Sequence, residues 1–141
     1  MIKSFRGLLK DGGEATIRLS TNNGLTGYKI NKFEILPEVY GTGDQVSLVK
    51  ITSVPIDTTS TVNFDIPTLL GVGVIRVGNL ITETMTQVTV FDNMKFNQDI
   101  YITLKNLDAS LGVNYYLELE QVKLSLDEAT VATLKDMRGR E

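Results

Sequence analysis

The sequence predicts an all-β protein, most simply a jelly-roll-like antiparallel β-sandwich that ends in a short C-terminal helix. Stretches in which apolar and polar residues alternate recur along the chain, and a period of two is typical of half-buried strands. Turn signals built on glycine, asparagine and proline separate these stretches. Only the C-terminal stretch carries clear start signals of a helix longer than a single turn. Since about eight strands at such spacing are typical of a sandwich, we expect residues 1–141 to form a single β-sandwich domain.

Four strands are predicted in the first part of the chain. Residues 1–10 are rich in apolar side chains but do not alternate cleanly, so they form a first strand or an N-terminal arm. Alternation is clear in residues 14–20 and again in residues 27–36, where it slips by one residue at positions 31–32. A β-bulge absorbs one extra residue, so we expect a bulge at that slip. Residues 45–54 form the next strand.

The loops carry glycine and Asx residues whose ordinary role is to form turns. Residues 22–24 (Asn-Asn-Gly) predict one such turn. Residues 40–44 contain Gly-Thr-Gly-Asp, but no Lys-Ser/Thr pair follows as in a phosphate-binding P-loop. Residues 67–70 begin with proline and predict a single helical turn capped by Asp65. Residues 92–99 offer oxygen ligands of the kind that Ca²⁺ accepts, without EF-hand spacing, and we interpret them as structural turns.

The remaining strands lead to the C-terminal helix. Residues 71–77, 85–91 and 100–104 each predict a strand, and a long strand begins near Tyr115. Its alternation slips at residues 120–122, which predicts a second bulge. Four aromatic residues are predicted to lie in the core of the sandwich: Phe33, Phe91, Tyr101 and Tyr115.

The helix is predicted over residues 126–138. Ser125 and Glu128 have the spacing of a capping box, in which each side chain satisfies a backbone N–H of the other residue. The apolar stripe is narrow, so we expect the helix to lie across an edge or an end of the sheet. The helix either covers that edge or acts as an arm that docks on a neighbouring subunit. The stripe consists of Leu126, Thr130, Val131, Leu134 and Arg138.

Composition restricts the chemistry of the chain. There is no cysteine and no histidine, which excludes thiolate sites, imidazole bases and His-based triads. The pair Glu118 and Glu120 lies on one strand face and resembles a glycosidase pair only in residue type, because glutamates that alternate with leucines are typical of a solvated face. We therefore expect no enzyme, and assign no catalytic, cofactor-binding or metal-binding residue.

Charge and hydropathy argue against two classes of partner. The formal net charge is −3 and the basic residues are scattered, which argues against nucleic acid. No apolar run is long enough to span a bilayer and no signal-peptide core precedes the first strand, so we expect a soluble chain made in the cytosol, with no membrane partner.

Several ordered motifs resemble a set of small proteins encoded by marine tailed phages. They are SFRG near the start, STNNGLTGYKI, VFDN followed by NQDIYIT, and NYYLELEQVKLSLDEATVATLKDMR at the end. The resemblance implies a capsid decoration or cement protein, a structural protein of the virion. Such a protein is made in the host cytoplasm, binds the outside of the bacteriophage capsid and stabilises contacts between major capsid protein subunits. By analogy with the local symmetry of shells, we expect a homodimer or homotrimer.

Two further expectations concern the contacts. If the chain decorates a capsid, we expect three parts of it to contact the shell or sister copies, by β-augmentation or helix docking. These parts are residues 1–10, residues 126–141 and the edge strands. The alternative is a head-fibre or carbohydrate-binding β-sandwich module. Its candidate site is residues 92–99 together with Tyr101.

Overall fold

The computed structural model describes residues 1–19, 24–39, 45–55, 61–77, 86–108 and 111–139. Within these ranges, eight strands form two antiparallel sheets that pack together, and one helix follows them, which confirms the predicted all-β sandwich. The strands are β1 (Ile2–Leu9), β2 (Glu14–Ile17), β3 (Thr26–Pro37), β4 (Gln45–Thr52), β5 (Leu69–Val77), β6 (Thr86–Phe91), β7 (Ile100–Asp108) and β8 (Val113–Lys123); the helix is α1 (Leu126–Gly139).

The strand order agrees with a jelly roll except at β6, which pairs with β5 and not with β3. One sheet has the order β1-β8-β3 and the other the order β2-β7-β4-β5-β6. The first strand thus pairs with the last and the second with the last but one, as a long antiparallel hairpin does when it rolls into two sheets. β6 pairs with β5. Residues 2–9 are a regular strand, so the first of the two predicted forms of the N-terminus is the observed one.

The core lies between the inner faces of the two sheets. Phe33 and Ile35 of β3 point into it and are almost completely buried. Gly73 of β5 lets β3 approach closely, because a Cβ atom added there would lie 2.7 Å from Cδ1 of Ile35. The other side chains that are fully buried at the centre include Val49, Ile51, Ile75, Ile100, Ile102, Leu104, Leu117 and Leu119.

One of the two predicted bulges is present. The register of β3 against β8 shifts between Ile30 and Lys32, so Asn31 is the extra residue, as predicted. The bulge predicted at residues 120–122 is wrong. These residues pair without interruption with residues 27–29 of β3, because the irregularity of this strand pair is carried by β3 alone.

The helical turn predicted over residues 67–70 is also wrong. Leu69 already belongs to β5, and two successive turns precede it. Asn63 provides the Asx turn, since its Oδ1 accepts the backbone N–H of Asp65 at 3.0 Å, and its carbonyl accepts the N–H of Ile66. Asp65 is therefore the donor of this turn and not a helix cap.

Two of the four aromatic residues assigned to the core lie elsewhere. Phe33 and Tyr115 are buried as predicted. Phe91 is 39% exposed, because it ends the edge strand β6. Tyr101 lies on the outer face of β7, since Ile100 and Ile102 on either side of it take the inward positions.

Two sequence predictions fall on residues outside the described ranges. These are residues 22–23 of the Asn-Asn-Gly turn and the whole loop 40–44. Gly24, which follows the first of them, has a φ of 67°, in the left-handed region that favours glycine.

Candidate functional site

The helix α1 begins at Leu126, where the capping box predicted its start. The N–H of Glu128 donates to Oγ of Ser125 at 3.2 Å, and the N–H of Ser125 donates to Oε1 of Glu128 at 3.3 Å. The carboxylate of Glu128 also accepts a hydrogen bond from Nζ of Lys95 at 2.7 Å. This hydrogen bond, with the cap, holds the pKa of Glu128 below its usual value. The first turn of α1 is thus fixed both internally and to the loop before β7.

Small residues hold α1 against the sandwich. Ala129 is buried, and Ala132 and Thr133, three and four residues later, are half-buried. Asn97 of the loop before β7 is 1% exposed, and its Nδ2 lies 3.3 Å from the carbonyl of Ala129 and 3.0 Å from Oγ1 of Thr133. The same amide donates to the carbonyl of Gly24 at 3.1 Å. Asn97 therefore joins the helix, its own loop and the segment before β3.

The large apolar side chains of α1 point away from the sandwich. Leu126 is 74% exposed, Val131 52% and Leu134 48%. The described members of the predicted apolar stripe, Leu126, Thr130, Val131 and Leu134, are therefore exposed and do not pack on the body. The helix itself lies at the end of the sheets where β3 and β7 begin, as expected. We call Leu126, Val131 and Leu134 the outer helix face.

Two shallow grooves run beside the outer helix face. One, of about 490 Å³, lies between α1 and the loop before β7, with Val131, Glu128 and Met94 on its walls. The other, of about 230 Å³, has Leu126 and Leu134 on its walls. An exposed apolar surface with grooves on both sides is typical of a surface that a partner covers.

A second surface is centred on Tyr116, on the outer face of β8. Cross-strand pairing places Arg6 of β1 on one side of Tyr116 and Glu34 of β3 on the other. Nζ of Lys32 lies 5.9 Å from the centre of the ring, within the range of a cation–π contact. The hydroxyl of Tyr116 donates to Oε1 of Glu118 at 2.7 Å, which raises the pKa of the phenol.

Beside this ring lies a depression of about 450 Å³. Arg6, Glu34 and Asn114 give it polar walls, and Leu8 and Leu36 give it apolar ones. A flat aromatic ring with polar and charged neighbours suits a sugar ring. The sequence signal for this surface was Tyr116 itself, an aromatic residue on the polar side of an alternating strand. Its neighbours depend on the pairing of strands that are distant in sequence.

The pair Glu118 and Glu120 lies on this same outer face, as its alternation predicted. Glu118 accepts hydrogen bonds from Tyr116 and from Nδ2 of Asn31, and Glu120 forms an ion pair of 3.2 Å with Lys29. Both carboxylates are thus engaged with neighbouring side chains on the surface of the sheet.

Residues 92–99, the predicted glycan candidate, use their polar groups to build the fold. Oδ1 of Asp92 accepts the N–H of Met94 at 3.1 Å, which is the predicted structural turn. Oδ1 of Asp99 accepts the N–H of Leu19 at 2.7 Å. Asn97 is buried under α1. Tyr101 faces the outside of the five-stranded sheet and pairs with Thr16 and Thr52.

Comparisons with known proteins do not assign this fold to a family. No protein-family model matches the sequence, and no curated protein matches it. Within the described ranges, no three acidic side chains come together in a way that would hold a metal ion. The part of the chain that the structure describes has no helix that is long and apolar enough to cross a membrane.

Proposed function

We propose that this chain is a decoration or cement protein that binds the outside of a phage capsid and stabilises contacts between major capsid protein subunits. The resemblance of its ordered motifs to small phage proteins supports this role. The structural observation that carries it is the outer helix face, because α1 is fastened to the sandwich by alanines and Asn97 while its leucines and valine remain exposed. On this proposal the virion surface is where the protein acts.

The outer helix face is large enough to matter for binding. Full burial of a Leu or Val side chain contributes roughly 1.5–3 kcal/mol, and Leu126, Val131 and Leu134 are half to three-quarters exposed. Covering them would contribute about 3–5 kcal/mol in total before the costs of association. That corresponds to roughly a hundredfold to a few thousandfold in affinity. The helix alone would thus hold a copy on a shell only weakly, and binding would depend on further contacts or on several copies.

The test is co-sedimentation of the purified protein with expanded capsids that lack accessory proteins, from the phage that encodes it. We expect saturable binding at a fixed ratio to the major capsid protein. The double variant V131Q/L134Q should lower the affinity about tenfold or more, since it makes two contact positions polar. The matched control is L107Q, because Leu107 is 51% exposed on β7 and lies outside the helix.

Salt and the control variant separate the possible outcomes. An apolar contact should persist when ionic strength is raised, whereas contacts between exposed charges are screened. If V131Q/L134Q and L107Q lose the same amount of affinity for capsids, the contact does not lie on the outer helix face. An absence of binding by the unaltered protein to expanded shells would refute the proposed role.

The second candidate function is a head-fibre or carbohydrate-binding module, and the depression beside Tyr116 is the observation that favours it. A sugar would stack on the ring and bond to Arg6, Glu34 and Asn114. A glycan array would detect such binding, and the variant Tyr116→Ala should abolish any signal. An array without hits would remove this candidate, and a signal that persists in Tyr116→Ala would place the sugar at another surface.

A further inference from the structure

Four of the described strands form the edges of the two sheets, and β6 differs from the other three. β1 carries Lys3 and Arg6, β3 carries a bulge and ends at Pro37, and β2 has four residues that include Glu14. Charge, bulges, proline and short length are the features by which natural proteins prevent edge strands from pairing. The β6 sequence TQVTVF has none of these features. It is therefore the one described edge that is open to another strand.

The direction of its backbone groups follows from the ladder with β5. The N–H of Asp92 donates to the carbonyl of Leu70 at 2.8 Å, and the pairing continues in register from Phe91 to Thr86. In an antiparallel ladder, the N–H and C=O of one residue point to the same side, and the side alternates along the strand. Val88 and Val90 therefore bond to β5. Gln87, Thr89 and Phe91 direct their N–H and C=O groups toward the free edge.

The side chains of β6 are compatible with a neighbour at that edge. Val88 is 53% exposed and Val90 47%, and both lie on the outer face beside Val74 and Val72 of β5. β3 lies close to both β5 and β6, and Gly73 of β5 faces the side chains of Ile35 and Phe33 of β3. We interpret β3 as stacked over the strand pair β5 and β6. In this arrangement the free edge of β6 stays accessible to another strand.

We propose that β6 pairs antiparallel with β6 of a second copy of this chain, across a twofold axis that passes through Thr89. When a twofold axis is perpendicular to the sheet, the outer faces of the two copies lie on the same side of the joined sheet. Two residues that pair across the axis must therefore both lie on the outer face or both on the inner face. The register centred on Thr89 meets this condition. It pairs Thr89 with Thr89, Val88 with Val90, and Gln87 with Phe91 of the second copy.

This register uses every backbone group that points to the free edge. Three N–H donors and three C=O acceptors on each copy make six hydrogen bonds and join the two five-stranded sheets into one. Val88 and Val90 of the two copies form a continuous apolar row, and Thr-Thr pairs are favourable across strands. No like charges meet, because β6 has no charged residue.

Sedimentation of two charged variants tests both the pairing and its register. The unaltered protein should shift from 15.6 kDa toward twice that mass as its concentration rises. In the variant V88K/V90K, each lysine faces a lysine of the second copy, and dimerisation should weaken at least about tenfold. In V88K/V90E, each lysine faces a glutamate, so this matched variant should still dimerise. Circular dichroism would verify that both variants are folded.

A single cysteine provides an independent measurement, because the chain has none of its own. A nitroxide on Thr89→Cys would lie beside its symmetry mate and show strong dipolar broadening. A nitroxide on Ser4→Cys, at the exposed outer face of the other sheet, should show none. A monomeric mass at every concentration, or equal dimerisation of the two charged variants, would overturn the proposal. Capsid binding has no part in these measurements, so their result is independent of the proposed function.

Discussion

Removal of α1 should leave a folded sandwich. A chain that ends at Ser125 lacks residues 126–141 but keeps all eight described strands. Among the described residues, the connected apolar core contains side chains of the strands and of the segments between them, and none from α1. The helix is thus attached to a core that is complete without it.

The contacts of α1 allow the loss of stability to be estimated. Burial of the Ala129 methyl group contributes about 1 kcal/mol. The Asn97 amide donates to two acceptors in α1, the carbonyl of Ala129 and Oγ1 of Thr133, and each hydrogen bond contributes about 1 kcal/mol. The truncation should therefore lower the free energy of unfolding by about 3 kcal/mol. Domains of this size have roughly 5–15 kcal/mol, so the truncated chain stays folded.

Urea unfolding followed by far-UV circular dichroism measures this loss. The matched control is Ala129→Asp in the full-length chain, which places a charge on the side of α1 that faces the body. Since the helix can detach to hydrate the charge, the cost of this variant cannot exceed the free energy of docking. Both variants should therefore show nearly the same loss of stability, although only one of them is shorter.

A truncated chain that is unfolded, or that loses more than about 5 kcal/mol, would refute this estimate. The helix would then be part of the core, and loss of capsid binding on truncation would say nothing about a docking arm. A truncated chain that folds but no longer sediments with capsids would instead place the contact on α1.

Two further predictions concern the cap of α1 and the approach of the two sheets. Glu128→Gln keeps the capping box but loses the ion pair with Lys95. This ion pair lowers the pKa of the Glu128 carboxyl below its usual value of 4.5. The stabilisation by the ion pair is therefore complete above pH 4.5 and is lost as the pH falls through the lowered pKa. The melting temperatures of the unaltered protein and the variant should therefore differ at about pH 7 and converge toward about pH 3, and a constant difference would contradict the assignment. Gly73→Ala places a methyl group 2.7 Å from Cδ1 of Ile35 and should cost about 1–3 kcal/mol in urea unfolding, whereas a cost below about 0.5 kcal/mol would mean that the sheets are not packed this closely.

Features that depend on neighbouring residues could be predicted from the sequence. Alternation located the strands because a half-buried strand needs a period of two. The capping box located the start of α1 because both of its hydrogen bonds lie within four residues. The bulge at Asn31 was visible because an extra residue shifts the alternation of its own strand.

The errors arose where the outcome depends on distant residues. A slip in alternation at residues 120–122 indicates that a strand changes its surroundings, but the register against β3 decides whether a bulge is present. Tyr101 is apolar enough to be assigned to the core, but its neighbours Ile100 and Ile102 are more apolar and take the inward positions of β7. Tyr101 therefore faces outward. At residues 67–70, pairing of β5 with β4 and β6 overrides the local signals of a helical turn.

The two surfaces with the most functional interest also depend on pairing. Arg6 and Glu34 lie on either side of Tyr116 only because β1 and β3 flank β8. In the same way, β6 becomes an edge strand only because it pairs with β5 and no other described strand lies beyond it. A sequence pattern indicates which residues form a strand, but it does not indicate how the strands are ordered.

The orientation of α1 explains why an amphipathic pattern was misleading here. A stripe of large apolar residues predicts the buried side of a helix only when the body offers a surface wide enough to receive them. The body beside α1 instead presents the buried amide of Asn97, whose hydrogen bonds to the helix require a close approach that only small side chains permit. Ala129, Ala132 and Thr133 therefore face inward, and the outer helix face is turned to the outside. Leucine and valine at these positions contribute little to the isolated fold, and they are the side chains that the proposed contact with a capsid would bury.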